Sequence, residues 1–138
     1  MKSIGQHTAC EIMRSRCHAF PARYAYLTLD MVFSAAQFER ISQGFTPRSM
    51  DDRWFIYLDA LTLYVYRSWS GYCLFLVPFR ADMNGGYRSV DVRVNRDPSQ
   101  YRRTDNKYDE SCLLLLIDNL LLSDPPWNGR PDSLKTIY

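Results

Sequence analysis

Between residues 53 and 79 apolar and polar side chains alternate with little interruption: RWFIYLDALTLYVYRSWSGYCLFLVPF. A two-residue period over such lengths marks strands with one buried face, and the stretch divides into three. Trp54, Ile56 and Leu58 alternate with Arg53, Phe55 and Tyr57 up to a tight reversal around Asp59 and Ala60, and a second strand runs from Leu61 to Arg67. The turn SWSG, with Gly71 able to take a positive φ, leads to a third strand from Tyr72 to Phe79, where Pro78 marks an end or an edge. After the looser connection RADMNGG, the alternation of Val90, Val92 and Val94 with Ser89, Asp91 and Arg93 predicts a fourth strand. Its valines are expected inside, and Ser89, Asp91 and Arg93 outside.

The period changes on either side. Leu29, Val32, Phe33, Ala36 and Ile41 fall near helical spacing, and Gly44 followed by Pro47 supplies a stop, which predicts a helix over 29–43. A second helix is predicted from an Asn106 N-cap, with Asp109 at N3, to Ser123 before Asp124, Pro125 and Pro126. Its run from Cys112 to Leu122 is apolar almost all round, as in a helix covered by both sheet and neighbouring helix or by a subunit interface. Thr8 and Glu11 form a capping-box pattern for a short helix through about Arg16, but no clear apolar face develops before Pro21. The expected organisation is a poorly defined N-terminal arm over 1–27, a single α+β domain over 28–125 and a C-terminal tail over 126–138. The expected fold is a four-stranded antiparallel meander with helices packed on one face.

Composition agrees with one packed domain: 138 residues, 46% apolar, 14% aromatic and 23% charged. The longest apolar run, CLLLLIDNLLL, is interrupted by Asp118 and Asn119 and falls short of the ~18 residues of a membrane span. Four cysteines without CxxC spacing, and no apolar stretch behind the N-terminal basic residues, lead to the expectation of a cytoplasmic protein with reduced thiols and no membrane partner. The net charge of +2 is unevenly spread: basic residues prevail in 1–27 and 80–103, and acidic ones in 104–138. Fourteen of the seventeen basic residues are arginine, which suits bidentate contacts with phosphate or carboxylate and also follows from a GC-rich coding genome.

The segments RWFIY and LTLYVYRSWSG, with the apolar strand that follows, resemble a group of small uncharacterised bacterial proteins that share an aromatic hairpin leading into an RSW-S/T-G turn. The resemblance spans residues 53–79. It implies strand, turn and strand, and no activity.

Arg67 is the oddity of this stretch, because alternation puts a guanidinium in the phase of Leu63 and Val65 at a strand end. Two readings are open. As a structural residue it is satisfied by turn carbonyls or by Asp59 and packed under Trp69. As an anion site it joins the hydroxyls of Ser68 and Ser70 and the backbone N–H groups around Gly71 in a nest for phosphate or carboxylate. Thr62, Tyr64 and Tyr66 share the opposite face, and Tyr87, Ser89, Asp91 and Arg93 the polar face of the fourth strand, giving either a solvated surface or an aromatic platform for a base, a peptide or a partner.

Four potential metal ligands, His7, Cys10, Cys17 and His18, lack zinc-site spacing, and neither metal nor cofactor is expected. GxSxG, P-loop, GxGxxG and HExxH patterns are missing. The leading expectation is therefore a non-enzymatic interaction domain with a protein partner or self-association. The alternative is a phosphate-recognising module or enzyme for a nucleotide or nucleic acid, using the RSWSG turn and the arginines of 80–103, among which Tyr87 and Tyr101 are interleaved. Nucleic acid is the less expected ligand, since a solvated strand and loop in an arginine-rich chain gives the same pattern.

Overall fold

The structure, a computed structural model, describes residues 9–123. Helix α1 (Ala9–Ser15) precedes strands β1 (Tyr24–Tyr26) and β2 (Val32–Phe33), then α2 (Ala35–Ser42). Strands β3 (Trp54–Asp59), β4 (Thr62–Arg67), β5 (Cys73–Ala81), β6 (Tyr87–Ser89) and β7 (Arg93–Asn95) follow. Helix α3 (Asn106–Leu116) continues as a π-helical segment, Ile117–Leu122. The fold is α+β with an antiparallel sheet, but the sheet has seven strands where four were expected. Its main order is β1-β7-β5-β4-β3, and β6 pairs the last residues of β5 with β2 outside it.

β3, β4 and β5 do form a meander. The β3–β4 reversal is a two-residue turn in which Ala60 and Leu61 both have positive φ, the geometry that matches strand twist. A register shift between Val65 and Tyr66 lets Leu74 and Phe75 both enter the main core. The predicted fourth strand is broken at Asp91, whose φ of 51° interrupts the pleat and separates β6 from β7. Val92 and Val94 are buried and Asp91 exposed, as alternation requires, whereas Val90 and Arg93 are half-buried and Ser89 is buried. Ser89 lies inside because its hydroxyl accepts from Met31 N at 2.9 Å and donates to Leu29 O at 3.2 Å, tying down the chain before β2.

The helix predicted over 29–43 starts only at Ala35. Val32 and Phe33 pair instead with Arg88 and Tyr87, and Ser34 caps α2 through a capping box with Gln37. At α3 the N-cap is Asp105, one residue before Asn106, and it accepts from Lys107 N and Tyr108 N. The main core joins Trp54, Ile56, Leu63, Val65, Phe75, Val77 and Val94 of the sheet to Phe38 and Ile41 of α2 and to Leu113, Leu116 and Ile117 of the last helix. That helix is not covered all round, for Leu114 and Leu115 remain exposed.

Helices occupy both faces of the sheet, which corrects the one-faced arrangement. Part of the expected N-terminal arm supplies edge strand β1, and α1 packs on the tyrosine side. There Cys10, Met13, Cys17 and Phe20 cover a second cluster of Phe55, Tyr66 and Cys73. α1 is held by Arg14, which lies 4.3 Å over the Tyr57 ring and 3.7 Å from Asp59, and by His18 N donating to Gly71 O at 2.8 Å. No helix among the described residues is long and apolar enough to cross a membrane.

Candidate functional site

β4 ends at Arg67 directly opposite Trp54, and the guanidinium sits 4.9 Å over that indole ring, on the core face of the sheet. Asp59 lies at the other end of the same hairpin and pairs with Arg14, so it does not satisfy Arg67. Nor does Trp69 cover Arg67: Trp69 is stacked with Arg53, whose guanidinium is 4.6 Å from its ring. Arg67 makes a cation–π contact with Trp54, for which a delocalised guanidinium is well suited. Burial lowers the pKa of Arg67 from its ordinary value, partly offset by Tyr101, Cys112 and Tyr108 and reinforced by the charge of Arg53. It remains a cation at neutral pH.

Arg67 opens into a cleft of about 300 Å³ between the β4–β5 turn and the loop before α3. Arg53 lines it from just before β3 and Leu74 from β5, Trp69, Ser70 and Tyr72 from the turn, and Gln100, Tyr101 and Arg102 from the loop. Three arginines therefore share a wall that contains no carboxylate among the described residues, with three aromatic rings beside them. Like charges gathered on one wall repel one another, and an anion entering the cleft lowers that repulsion.

Several backbone N–H groups of the RSWSG turn are engaged within the fold. Gly71 N donates to Arg67 O, Ser68 N to Arg53 O and Tyr72 N to Ser70 Oγ. The Ser68 hydroxyl donates to Asp52 O and faces a neighbouring cavity. Gly71 has φ 75°, and a Cβ there would lie 2.4 Å from Arg16 O, so it serves close contact between turn and α1 segment.

The opposite wall is held by a network that the sequence did not announce. Asp109, fully buried, accepts from Arg96 Nη2 at 2.6 Å and from the Tyr101 hydroxyl at 2.5 Å. Burial and the bond to Asp109 both raise the Tyr101 pKa, keeping it a neutral donor. Arg96 also donates to Arg103 O and to Asn106 Oδ1, and Asn95 Nδ2 donates to Cys73 O and to Gln100 Oε1. This fixes the loop over 96–103 against β5 and α3, so Arg102 and Gln100 are presented from a firm base.

Of the residues singled out from sequence, Arg67, Trp69 and Ser70 line the cleft, while Ser68 and Gly71 belong to the turn that frames it. Tyr64, Tyr66 and Arg93 lie on the other face. Tyr66 is buried under α1, its pKa raised by burial and by the bond to Tyr57, and Tyr64 stacks on Tyr57 with centroids 5.2 Å apart. Arg93 lies 5.3 Å and 5.5 Å from the Tyr24 and Tyr26 rings. Sequence reasoning did not single out Arg53, Tyr72, Leu74 or Gln100, and it reached Tyr101 and Arg102 only within the stretch 80–103. The arginine-rich stretch of 80–103 was the only pointer to Arg102, and nothing local pairs residue 102 with residue 67.

Comparison with known proteins finds no matching family model, no matching curated protein and no matching solved structure. Function rests on the geometry alone.

Three of the thiols offer little nucleophilic chemistry. Burial raises Cys17 to about 11 and Cys73 and Cys112 to about 12, so they are protonated at neutral pH. Among the described residues no group of three or more His, Cys, Asp and Glu is placed to hold a metal ion. His7, one of the four possible ligands considered, lies outside the described residues.

Proposed function

We propose that the protein is a binding domain that acts without catalysis and that its cleft receives an anionic group of the ligand. The observation that carries this reading is the convergence of Arg53, Arg67 and Arg102 on one concave wall that holds no carboxylate among the described residues. Arginine forks match phosphate and carboxylate oxygens two at a time, and half-buried guanidinium groups such as those of Arg53 and Arg67 bind them more strongly than solvated ones. The aromatic surfaces of Trp69, Tyr72 and Tyr101 add contact area at small cost in side-chain freedom. The cleft volume lies near the lower end of the ~300–1,000 Å³ of small-ligand sites, enough for an anionic group with a short attachment.

The test is a titration of the full chain with inorganic pyrophosphate, followed through the arginine Nε–H and tryptophan Nε1–H resonances. The expected shifts concentrate at Arg53, Arg67, Arg102 and Trp69 and fade with added salt. Shifts spread evenly over arginines such as Arg23 and Arg80 would mean diffuse screening and would end the proposal.

A further inference from the structure

Trp69 is exposed to 59% of its surface and yet is held in place. Its Nε1 donates to Met50 O at 3.0 Å, and Arg53 stacks on its ring. An indole that is both solvent-facing and pinned loses little freedom when a partner covers it, which is the profile of an interface anchor. The ring also stands between two concavities. On one side is the arginine cleft; on the other is a cavity of about 570 Å³ in which Met13, Pro47 and Met50 supply apolar walls. Met50 is itself 71% exposed. Of the cations bordering this second cavity, Arg48 lies 3.8 Å from buried Asp52, and among the described residues neither cavity has a carboxylate in its lining.

We infer that this surface binds an extended, acidic peptide segment of a partner protein, with a carboxylate or phosphate in the arginine cleft and an apolar side chain in the methionine-lined cavity across Trp69. The inference rests on the anion-binding reading of the cleft and deepens it by naming the partner. Charge complementarity selects the acid, and the apolar cavity selects what stands beside it. A single-stranded nucleic acid also offers phosphates and flat rings, but it presents another phosphate at every step. The second cavity, walled by methionine and proline with Arg48 already beside an acid, fits an aliphatic or aromatic side chain better. One indole width, covered at ~3.3 Å per extended residue, separates the two groups by roughly two or three positions.

Random peptides displayed on phage are selected on the full chain, and the enriched sequences are synthesised and measured by fluorescence anisotropy. The expected winners carry Asp or Glu within a few positions of Leu, Met or Phe, and changing either residue to Gln or Ser weakens binding at least about tenfold, as for an interface anchor. Met50→Ser weakens the same peptides severalfold while leaving the pyrophosphate shifts of Arg53 and Arg102 unchanged, and Trp69→Ala abolishes peptide binding. Failure to enrich such peptides, or indifference to Met50→Ser and Trp69→Ala, overturns the inference. An oligomer of eight deoxythymidines that binds more tightly than the peptides overturns it in favour of nucleic acid. Pyrophosphate shifts that persist without peptide binding leave the anion site standing and remove only the peptide, whereas their loss removes both.

Discussion

Gly71 and Arg67 separate two functions within one short turn. Gly71 holds the turn against the α1 segment through a positive φ and a close approach to Arg16 O. Gly71→Ala is therefore expected to destabilise by roughly 2–3 kcal/mol, combining left-handed strain with a backbone collision. Gly85→Ala is the control, since Gly85 has φ 90° but nothing within 4 Å of an added Cβ, and only the strain of about 1 kcal/mol applies. Urea melts of the two variants decide this, and equal midpoints would show that the turn does not anchor α1. Arg67 was recognisable as unusual from its phase in the strand, because a buried-phase guanidinium needs a compensating contact. Which contact it makes was not recognisable: Trp54 lies thirteen positions away and becomes its neighbour only through the register of β3 on β4.

At the level of elements, the last helix carries the main core on one side and water on the other. Leu116 is fully buried and Asp118 exposed. Leu116→Asp is expected to cost several kcal/mol, on the order of an unpaired buried charge, while Asp118→Ala stays within about 0.5 kcal/mol of the parent. Chemical denaturation of both variants checks the difference, and similar midpoints would make the helix peripheral. The hairpin of β3 and β4 was legible because its alternation is long and unbroken. Short elements were not: β1, β2, β6 and β7 have two or three residues each, too few for a period to register. Helical spacing over 29–43 was partly accidental, since Val32 and Phe33 are held in extended form by β6, a partner more than fifty residues away. The capping box of Ser34 and Gln37, which marks the true start of α2, was not singled out in the sequence.

On the scale of the whole molecule, the two-sided packing gives a stability profile with a defined alkaline limit. Cys73 and Cys112 keep their protons in the fold to about pH 12, whereas unfolded thiols ionise from about pH 9. Their contribution is fully present below the unfolded value and is lost as pH rises toward the folded one, at up to roughly 1.4 kcal/mol per pH unit for each thiol. Tyr66 and Tyr101, also raised by burial, act in the same direction at higher pH. Stability measured against pH should be level around neutrality and fall above about pH 9; an unchanged midpoint at pH 10.5, to about the precision of the melt, would mean the thiols are open to solvent. The placement of charge is the property least visible in sequence. A net charge of +2 conceals three arginines, from positions 53, 67 and 102, assembled by folding into one wall.

That assembly is the central claim, and calorimetric titration of pyrophosphate into the parent and into an Arg53→Met, Arg102→Met double variant tests it most directly. Both substitutions keep long apolar stems at half-buried or exposed positions, so the melting temperature should stay close to the parent value. The account predicts that affinity falls at least about tenfold and that its salt dependence flattens, since two charge-assisted contacts are lost. Equal affinities and equal salt slopes for the two proteins would contradict it.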